Sequence, residues 1–587
     1  MCGIFCAISA GQPLWPTTEL QHLLRHRGPD NCGKCQASIS ITADTQAEED
    51  SYITFFSTVL SLRGKTTVRQ PLQRGKSPVT LCWNGEAWSI NDLSTSDNDT
   101  QAVLNLLYDA ADRSNIDHSD GIERIMYARR ITTRMSRIAG PYAFVFHDAA
   151  MNLLFFGRDF LGRRSLLVAV TEDKSILISS ISDLSFTGTW REIEADGFYC
   201  IDLGQSRTNA LALPNMQRWG QFSVFRLPYH TATDEVDISH TAVVPQLSLN
   251  RQMPSGDSSL SSTSPAIMRL EKLLRQSLHP RLFGIPDPTN CNHPQARRTR
   301  LAILFSGGLD CSILARLTHD ILPLTESIDL LNVAFENPRV HQNHANDGSP
   351  YECCPDRITG RASYAELQRV CPQRDWNFVA IDIPYSETLK HRPNVIKLMH
   401  PHNTEMDLSI SFALYFAARG DGYVSTPASK TKYTTSARVL LSGLGADELF
   451  AGYQRHATAF NRNGFAGLLD ELDLDIRRLG KRNLGRDDRV ISHWGREARF
   501  PYLDERLLTW VLAEPISHKC GFGVPNPNIS DCSDESMQLE PGKRALRCLA
   551  WKLGMREVAK EKKRAIQFGA RTAKMETGKT KGTQLLS

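Results

Sequence analysis

The chain has 587 residues, 41% of them apolar, and a formal net charge of +4. That length allows three to four domains or fewer large ones, and so mild a charge argues against the clustered basic face of a nucleic-acid binder. No apolar run approaches a membrane span, the start lacks a charged-then-apolar leader, and the 14 cysteines are scattered, so a cytoplasmic chain without a disulfide framework is expected.

The first residues are Met1-Cys2-Gly3-Ile4-Phe5. Removal of Met1 would leave Cys2 with both a thiol and an α-amine. The free α-amine titrates near neutrality, so one residue can supply nucleophile and base. Cys32-Gly-Lys-Cys35 is a lone C-x-x-C without a second pair in register, and it is read as incidental. Further on, Arg25-His26-Arg27-Gly28-Pro29-Asp30 is a charged turn string. The apolar run Val79-Thr80-Leu81-Cys82 ends in Trp83-Asn84-Gly85-Glu86, read as a tight turn. Asp99 precedes the amphipathic run Ala102, Val103, Leu106, Leu107.

In this order MCGI, RHRGPD, NGE and a later Asp resemble the class II glutamine amidotransferases, which are N-terminal-nucleophile hydrolases. The resemblance implies that Cys2 attacks the side-chain amide of glutamine. It implies that Asn84 and the Gly85 N–H hold the oxyanion, and that Glu86 and Asp99 grip the substrate α-amine. Arg63, in Leu60-Ser61-Leu62-Arg63-Gly64, is the candidate for the α-carboxylate. The family places its arginine before the Leu-Ser pair, so Arg63 departs from the pattern. Strand-like runs follow at Ala143–Phe146, Leu153–Phe156, Leu177–Ser180 and Gly197–Ile201. Among them a charged corner at 157–164 resembles a string of the same family, and is read either as a structural corner with Arg158–Asp159 pairing or as part of the catalytic machinery. The expected fold is an α+β N-terminal-nucleophile αββα sandwich over residues 1–210.

Periodicity fades from about 205, and the polar, Ser-rich stretch into Ser261-Ser262-Thr263 reads as a linker, assigned to 211–263. Helical spacing resumes at Ile267, Leu270, Leu273 and Leu274. Leu301-Ala302-Ile303-Leu304-Phe305 is then a buried strand, followed by Ser306-Gly307-Gly308-Leu309-Asp310-Cys311-Ser312 and a helix through Ile313, Leu314 and Leu317. A strand that turns through glycines into a helix N-terminus presents unpaired N–H groups to an anion. Ser306 adds a hydroxyl, and Asp310 suits a Mg²⁺ ion. Ile328–Phe335 and Trp376–Ile381 read as further parallel strands, an insertion lies between at 337–354, and Met406–Ala418 reads as a helix. Arg438-Val439-Leu440-Leu441-Ser442-Gly443-Leu444-Gly445-Ala446-Asp447-Glu448 repeats the strand–glycine–acid unit. Two such corners in one sheet can hold one pyrophosphate, with Asp447 facing Asp310 across the metal.

The first loop resembles the SGGxDS loop of ATP-pyrophosphatases, with Cys311 in the last position and Ser312 behind it. The second, with Ala451-Gly452-Tyr453 and the later string from Trp494 to Asp504, resembles asparagine synthetases. Arg486-Asp487-Asp488-Arg489 and Gln567-Phe568-Gly569 look closer to the asparagine synthetase domain-containing proteins. The resemblance implies an α/β adenine-nucleotide alpha-hydrolase-like parallel-sheet domain over 264–587. ATP and pyrophosphate would be bound by Ser306, Gly307, Gly308, Asp310, Cys311, Ser312, Val333, Ser442, Gly443 and Gly445, with Mg²⁺ on Asp310 and Asp447. Lys563, in the basic run Lys560-Glu561-Lys562-Lys563-Arg564, would neutralise charge during adenylation. The implied partners are glutamine, ATP and a carboxylate acceptor, with aspartate leading, in a homodimer that touches neither nucleic acid nor membrane.

One departure bears on the acceptor. Leu444 stands where the family carries a glutamate, and leucine can neither accept a proton nor hold an ammonium group. Three alternatives stay open: another carboxylate acceptor on the same architecture, a regulatory protein that no longer synthesises, and a tRNA-modifying pyrophosphatase. The last is disfavoured by the intact Cys2 module.

Overall fold

The computed structural model describes residues 1–39, 51–75, 78–95, 97–110, 121–186, 188–203, 216–220, 222–229, 243–254, 260–287, 299–341, 349–426, 429–524, 535–575 and 582–586. The chain forms two compact units. One comprises Met1–Gln246 with Lys397–His402 and Leu479–Gly495. The other comprises Leu247–Ile396, Asn403–Arg478 and Arg496–Ser587.

The first unit is built on two large antiparallel sheets, beside a small one of Leu93–Ser94, Ser89–Ile90 and Ile138–Ala139. One large sheet runs Arg191–Glu192, Leu167–Val170, Ile176–Ser179, Gly3–Ala10, Ser51–Val59, Asn31–Ile39 in spatial order. The other runs Met216–Trp219, Phe222–Leu227, Phe198–Asp202, Leu153–Arg158, Tyr142–Asp148, Val79–Gly85, Leu72–Arg74. Alternation decides which side chains go between them. Ile4, Cys6 and Ile8 of the first strand meet Val145, Leu154, Phe156 and Ile201 of the opposite sheet in one core. The other face of the second sheet offers Trp83, Phe144, Phe146 and Phe155 to Val103, Leu107, Tyr127 and Ile131. Those come from the helices Asp99–Asp109 and Gly121–Met135. The helix Thr18–Arg27, capped by the Thr17 side chain, packs on the outer face of the first sheet. The layers are helix, sheet, sheet, helix.

The second unit is built on one sheet, ordered Ser429–Thr434, Asp421–Thr426, Trp376–Ile383, Ile328–Phe335, Leu301–Leu304, Val439–Leu441, Glu497–Arg499. The last five are parallel. The first two form an antiparallel hairpin on one edge. Leu301–Leu304 and Val439–Leu441 are unbroken apolar runs, as strands covered on both faces tend to be. Ile328–Phe335 and Trp376–Ile383 instead carry the buried polar residues Asp329, Asn332 and Asn377, and the edge strand Glu497–Arg499 is charged. From Leu301–Leu304 the chain moves outward on one side, through Ile328–Phe335 and Trp376–Ile383, then returns to Val439–Leu441 on the other. That reversal opens a crevice at the strand C-termini, where ligands bind in sheets of this kind. Both glycine corners flank it. No helix among the described residues is long and apolar enough to cross a membrane.

Four details differ from the expectations above. Asn84 and Gly85 do not make a tight turn. They complete the strand Val79–Gly85, in register with Ala143 and Tyr142. Met216–Trp219 and Phe222–Leu227 lie inside the stretch read as a linker, and extend the second sheet. Their alternation is short and starts exposed, so the periodicity was weak. The rest of that stretch falls partly outside the described residues, as do 342–348 of the insertion. Arg158 does not pair with Asp159: Arg158 reaches Glu192 at 3.0 Å, while Asp159 binds Arg163 at 2.9 Å. The helix Leu484–Ser492, carrying the Arg-Asp-Asp-Arg string, belongs to the first unit.

Candidate functional site

The nucleophile candidate sits at the start of a central strand, and its backbone is held from both sides. The Cys2 N–H donates to Asn84 Oδ1 at 3.0 Å. The Cys2 carbonyl accepts from Arg27 Nε at 3.3 Å. The next two amides donate to Thr58 and Ser180 hydroxyls. With its Oδ1 engaged, Asn84 leaves Nδ2 buried and without a hydrogen-bond partner. An unpaired buried amide is costly, and here it sits on the residue that already touches Cys2. That is the donor an oxyanion would use. Gly85 is required for a separate reason: a Cβ there would stand 2.3 Å from the Pro141 carbonyl oxygen.

Glu86 and Asp99 are both buried. Asp99 Oδ2 accepts from Trp83 Nε1 at 3.1 Å and from the Ala87 N–H at 2.9 Å, so it orders the segment after Asn84. Arg63 lies 3.6 Å from Glu86 Oε2. Its guanidinium also donates to the carbonyls of Ala87 and Thr95. These bonds make Arg63 a brace for the Glu86 loop. Gln70 joins the site without a sequence signal. Its Nε2 lies 3.9 Å from Cys2 Sγ, and its Oε1 accepts from the Trp83 N–H at 2.7 Å. A lone glutamine in a polar loop carries no pattern that marks it.

In the second unit the two glycine corners converge. Gly307 has φ +81°, and a Cβ would meet the Gly360 backbone at 2.5 Å, so the loop lies tight against the helix Pro355–Val370. A Cβ on Gly308 would meet only Ser306 Oγ, at 3.3 Å, which leaves that side of the loop open for an anion. Ser306 Oγ accepts from the Gly308 N–H. Cys311 and Ser312 turn away from the loop's open side: Cys311 Sγ donates to the Gly308 carbonyl and Ser312 Oγ to the Gly307 carbonyl. Both are buried and brace the loop from behind. Val333 is buried on the neighbouring strand. Gly443 packs against Asp310 Cβ, and Gly445 has φ +100°, with Leu503 where a Cβ would go. The Leu444 N–H donates to Ser442 Oγ.

Asp310 and Asp447 face each other across one ammonium. Lys543 Nζ is 2.6 Å from Asp310 Oδ2 and 2.7 Å from Asp447 Oδ1. Lys563 Nζ reaches Asp447 Oδ2 at 2.5 Å. Burial alone would raise the Asp447 pKa, but Lys543 and Lys563 hold it well below the usual carboxylate range. Lys563 moves the opposite way: burial disfavours its charge, yet Asp447 and Asp310 raise its pKa. Glu448 is pushed up to about 7, first by burial and then by the Asp447 charge, and it accepts from Tyr453 OH at 2.7 Å. Lys543 was not anticipated. It occupies the left-handed region at φ 56°, just before the helix Arg544–Lys552, a backbone strain that tends to collect at functional sites. Its signal was faint: Pro541-Gly542 ahead of a basic helix start.

The arrangement fits a divalent ion and a polyphosphate. Asp310 Oδ1 is buried without a hydrogen-bond partner. Asp447 Oδ1 is also outside hydrogen-bond geometry despite its ion pair. Two carboxylates with spare oxygens are the hard ligands Mg²⁺ takes. Two lysines beside an open glycine loop supply cations for phosphate oxygens.

Comparison with known proteins agrees with this layout. A glutamine amidotransferase domain model matches residues 1–198, and an asparagine synthase model matches 423–470 and 466–582. Asparagine synthetase domain-containing protein 1 of Mus musculus is 32% identical over 99% of this chain and 98% of its own length. An asparagine synthetase domain-containing protein of Saccharomyces cerevisiae is 34% identical over 91% of this chain and 86% of its own. A putative glutamine-hydrolysing asparagine synthetase of Methanocaldococcus jannaschii is 24% identical over 95% of this chain and 91% of its own. The chain therefore belongs to the family of asparagine synthetase domain-containing proteins, with an asparagine synthetase-like glutamine amidotransferase architecture.

Proposed function

We propose that the protein is a glutamine-hydrolysing, ATP-dependent amidotransferase that converts a carboxylate to its amide and ATP to AMP and pyrophosphate. We read the second unit as an adenine-nucleotide alpha-hydrolase-like fold. The observation that carries the reading is the pair Asp310 and Asp447 on one ammonium beside an open glycine loop.

In the first unit, the Cys2 thiolate attacks the glutamine amide carbon after Met1 is removed. The freed α-amine takes the thiol proton and returns it to the leaving ammonia. Asn84 Nδ2 and the Gly85 N–H receive the oxyanion, while Glu86 and Asp99 hold the substrate α-amine. Water then releases glutamate from the thioester. In the second unit, the acceptor carboxylate attacks the α-phosphorus of ATP and pyrophosphate leaves. Ser306, Gly307 and Gly308 cradle the departing oxygens, with Ser442, Gly443 and Gly445 on the opposite corner, and Lys543 and Lys563 balance their charge. Mg²⁺ held by Asp310 and Asp447 would neutralise the triphosphate. Ammonia displaces AMP from the acyl-adenylate.

Aspartate is the leading acceptor. A second reading keeps the chemistry and changes the acceptor, and Leu444 favours it, since it removes the carboxylate the family uses beside the adenylate. Purified full-length protein given glutamine, ATP, Mg²⁺ and aspartate decides between them. Asparagine and pyrophosphate in equal amounts support the first. Pyrophosphate only with another carboxylate supports the second. Absence of both pyrophosphate and glutamate overturns the proposal.

A further inference from the structure

The first unit contains a helix from far along the chain, Leu484–Ser492, every residue of which is buried. It lies within the stretch matched by the asparagine synthase model. Two of its polar side chains, Asp488 and Ser492, meet at Arg27, at the end of the helix before the Gly28-Pro29 turn. Arg27 NH2 donates to Asp488 Oδ2 at 2.8 Å, and Arg27 NH1 donates to Ser492 Oγ at 2.5 Å. Neither the Arg27 nor the Asp488 side chain is exposed to solvent. The remaining guanidinium nitrogen, Nε, donates to the Cys2 carbonyl.

We infer that Asp488 is a positioning residue for the Cys2 nucleophile, acting through Arg27. A guanidinium has a fixed planar fork, so setting two of its nitrogens sets the direction of the third. Asp488 and Ser492 engage the two terminal nitrogens, and Nε is thereby aimed at the Cys2 carbonyl. Asn84 holds the other end of the same residue at its nitrogen. With both ends fixed, the Cα of Cys2, and with it the thiol and the amine, keeps one orientation. Asp488 is itself fixed by the Ser165 N–H at 3.1 Å, and Arg164 NH1 stands 3.8 Å from its other oxygen. The neighbouring Arg489 donates to Ser165 Oγ at 2.7 Å, which locks the receiving loop to the same helix. The amidotransferase machinery thus extends well past the residues of its own domain model.

The inference rests on the glutaminase reading for its kinetic test, and a second readout frees it from that reading. Asp488→Asn leaves a buried arginine without its carboxylate and is open to misfolding. The Arg27→Met/Asp488→Leu double variant removes both charges together, a replacement buried pairs tolerate. Full-length double variant with an unchanged melting midpoint is expected to lose about tenfold to a hundredfold in kcat for glutamine hydrolysis, with KM little changed. Alkylation of Cys2 by iodoacetamide, followed on the N-terminal peptide by mass spectrometry, should slow in parallel. A folded double variant with wild-type kcat and a wild-type Cys2 alkylation rate overturns the inference. If the wild-type protein releases no glutamate, the glutaminase reading fails. The alkylation comparison then decides on its own whether the Arg27–Asp488 pair governs Cys2.

Discussion

The two sites treat buried polarity in opposite ways. Around Cys2 the contacts at the backbone are hydrogen bonds that fix orientation, and one neutral donor, Asn84 Nδ2, is left over. Between the glycine corners of the second unit, two carboxylates and two ammonium groups are packed in contact. On the proposed function, the first would meet charge that appears during the reaction, which a spare neutral donor suits. The second would meet charge that arrives with the substrate, whose phosphate oxygens would compete with the aspartates for the two lysines. The lesson is that a leftover donor marks the one and an internally balanced ion cluster marks the other.

The largest test of that contrast separates the two chemistries. Cys2→Ala should abolish glutamate release while leaving pyrophosphate formation with free ammonia intact. Asp447→Asn should do the reverse, with glutamate release retained. Ion-exchange assay of glutamate and a coupled pyrophosphate assay read both. Loss of both activities in either variant would mean that the sites are not chemically independent.

The leftover donor comes next. Asn84→Ala should lower kcat for glutamine hydrolysis by about a hundredfold to a thousandfold with KM nearly unchanged, the pattern of a lost oxyanion donor. Its Oδ1 also holds the Cys2 nitrogen, so Asn84→Asp separates the roles. It keeps the acceptor, removes the donor and should be equally slow.

Lys543 tests the balanced cluster. Replacing it by Met leaves the half-buried Asp310 and the buried Asp447 facing each other, with only Lys563 on Asp447. Breaking a fully buried pair costs about 3–5 kcal/mol. With Asp310 in partial contact with solvent a smaller loss is expected, read as a lower melting midpoint. Millimolar Mg²⁺ should return part of the loss, more than it stabilises the wild type. Thermal melts with and without Mg²⁺ check this, and no difference between the proteins would remove Asp310 and Asp447 as ligands.

What could be read from the chain alone follows the same division. Strand–glycine–helix corners are local, and Leu301–Leu304 and Val439–Leu441 emerged where apolar runs met glycines. Cys2, Asn84, Asp310 and Asp447 were legible because each sits in a short string with fixed neighbours. The two site residues that no string marks depend on non-local contacts. Gln70 approaches Cys2 across 68 positions of sequence, and Lys543 reaches Asp310 across 233. No window of periodicity contains both members of either pair. Asn84 and Gly85 looked like a turn because Asn-Gly favours turns. Pairing with Tyr142 and Ala143 overrode that preference. Arg63 was legible as a charge near the site, but only its contacts show that Glu86 and two carbonyls occupy it.

The last expected effect is on stability alone and concerns a carboxylate that neither scheme uses. Asp356 is 6% exposed, in the first turn of the helix Pro355–Val370. It lies so close to Gly569 that a Cβ there would stand 1.9 Å from its Oδ1. Burial pushes its pKa up to about 7, against the opposing pull of Arg564 and Lys563. Its unfolded value is that of an ordinary aspartate, near 3.9. The folded chain therefore binds the extra proton between these values, and stability contributed by the neutral acid falls as pH rises from about 4 to about 7. Asp356→Asn mimics the neutral form and should flatten that part of the stability profile. It should gain on the wild type at pH 8 and match it near pH 4. Urea melts across this range measure the difference. A wild-type profile with the same slope as the variant would mean that Asp356 is ionised in the folded chain, with Lys563 and Arg564 outweighing burial. The charge around Lys563 would then be shared by three carboxylates instead of two.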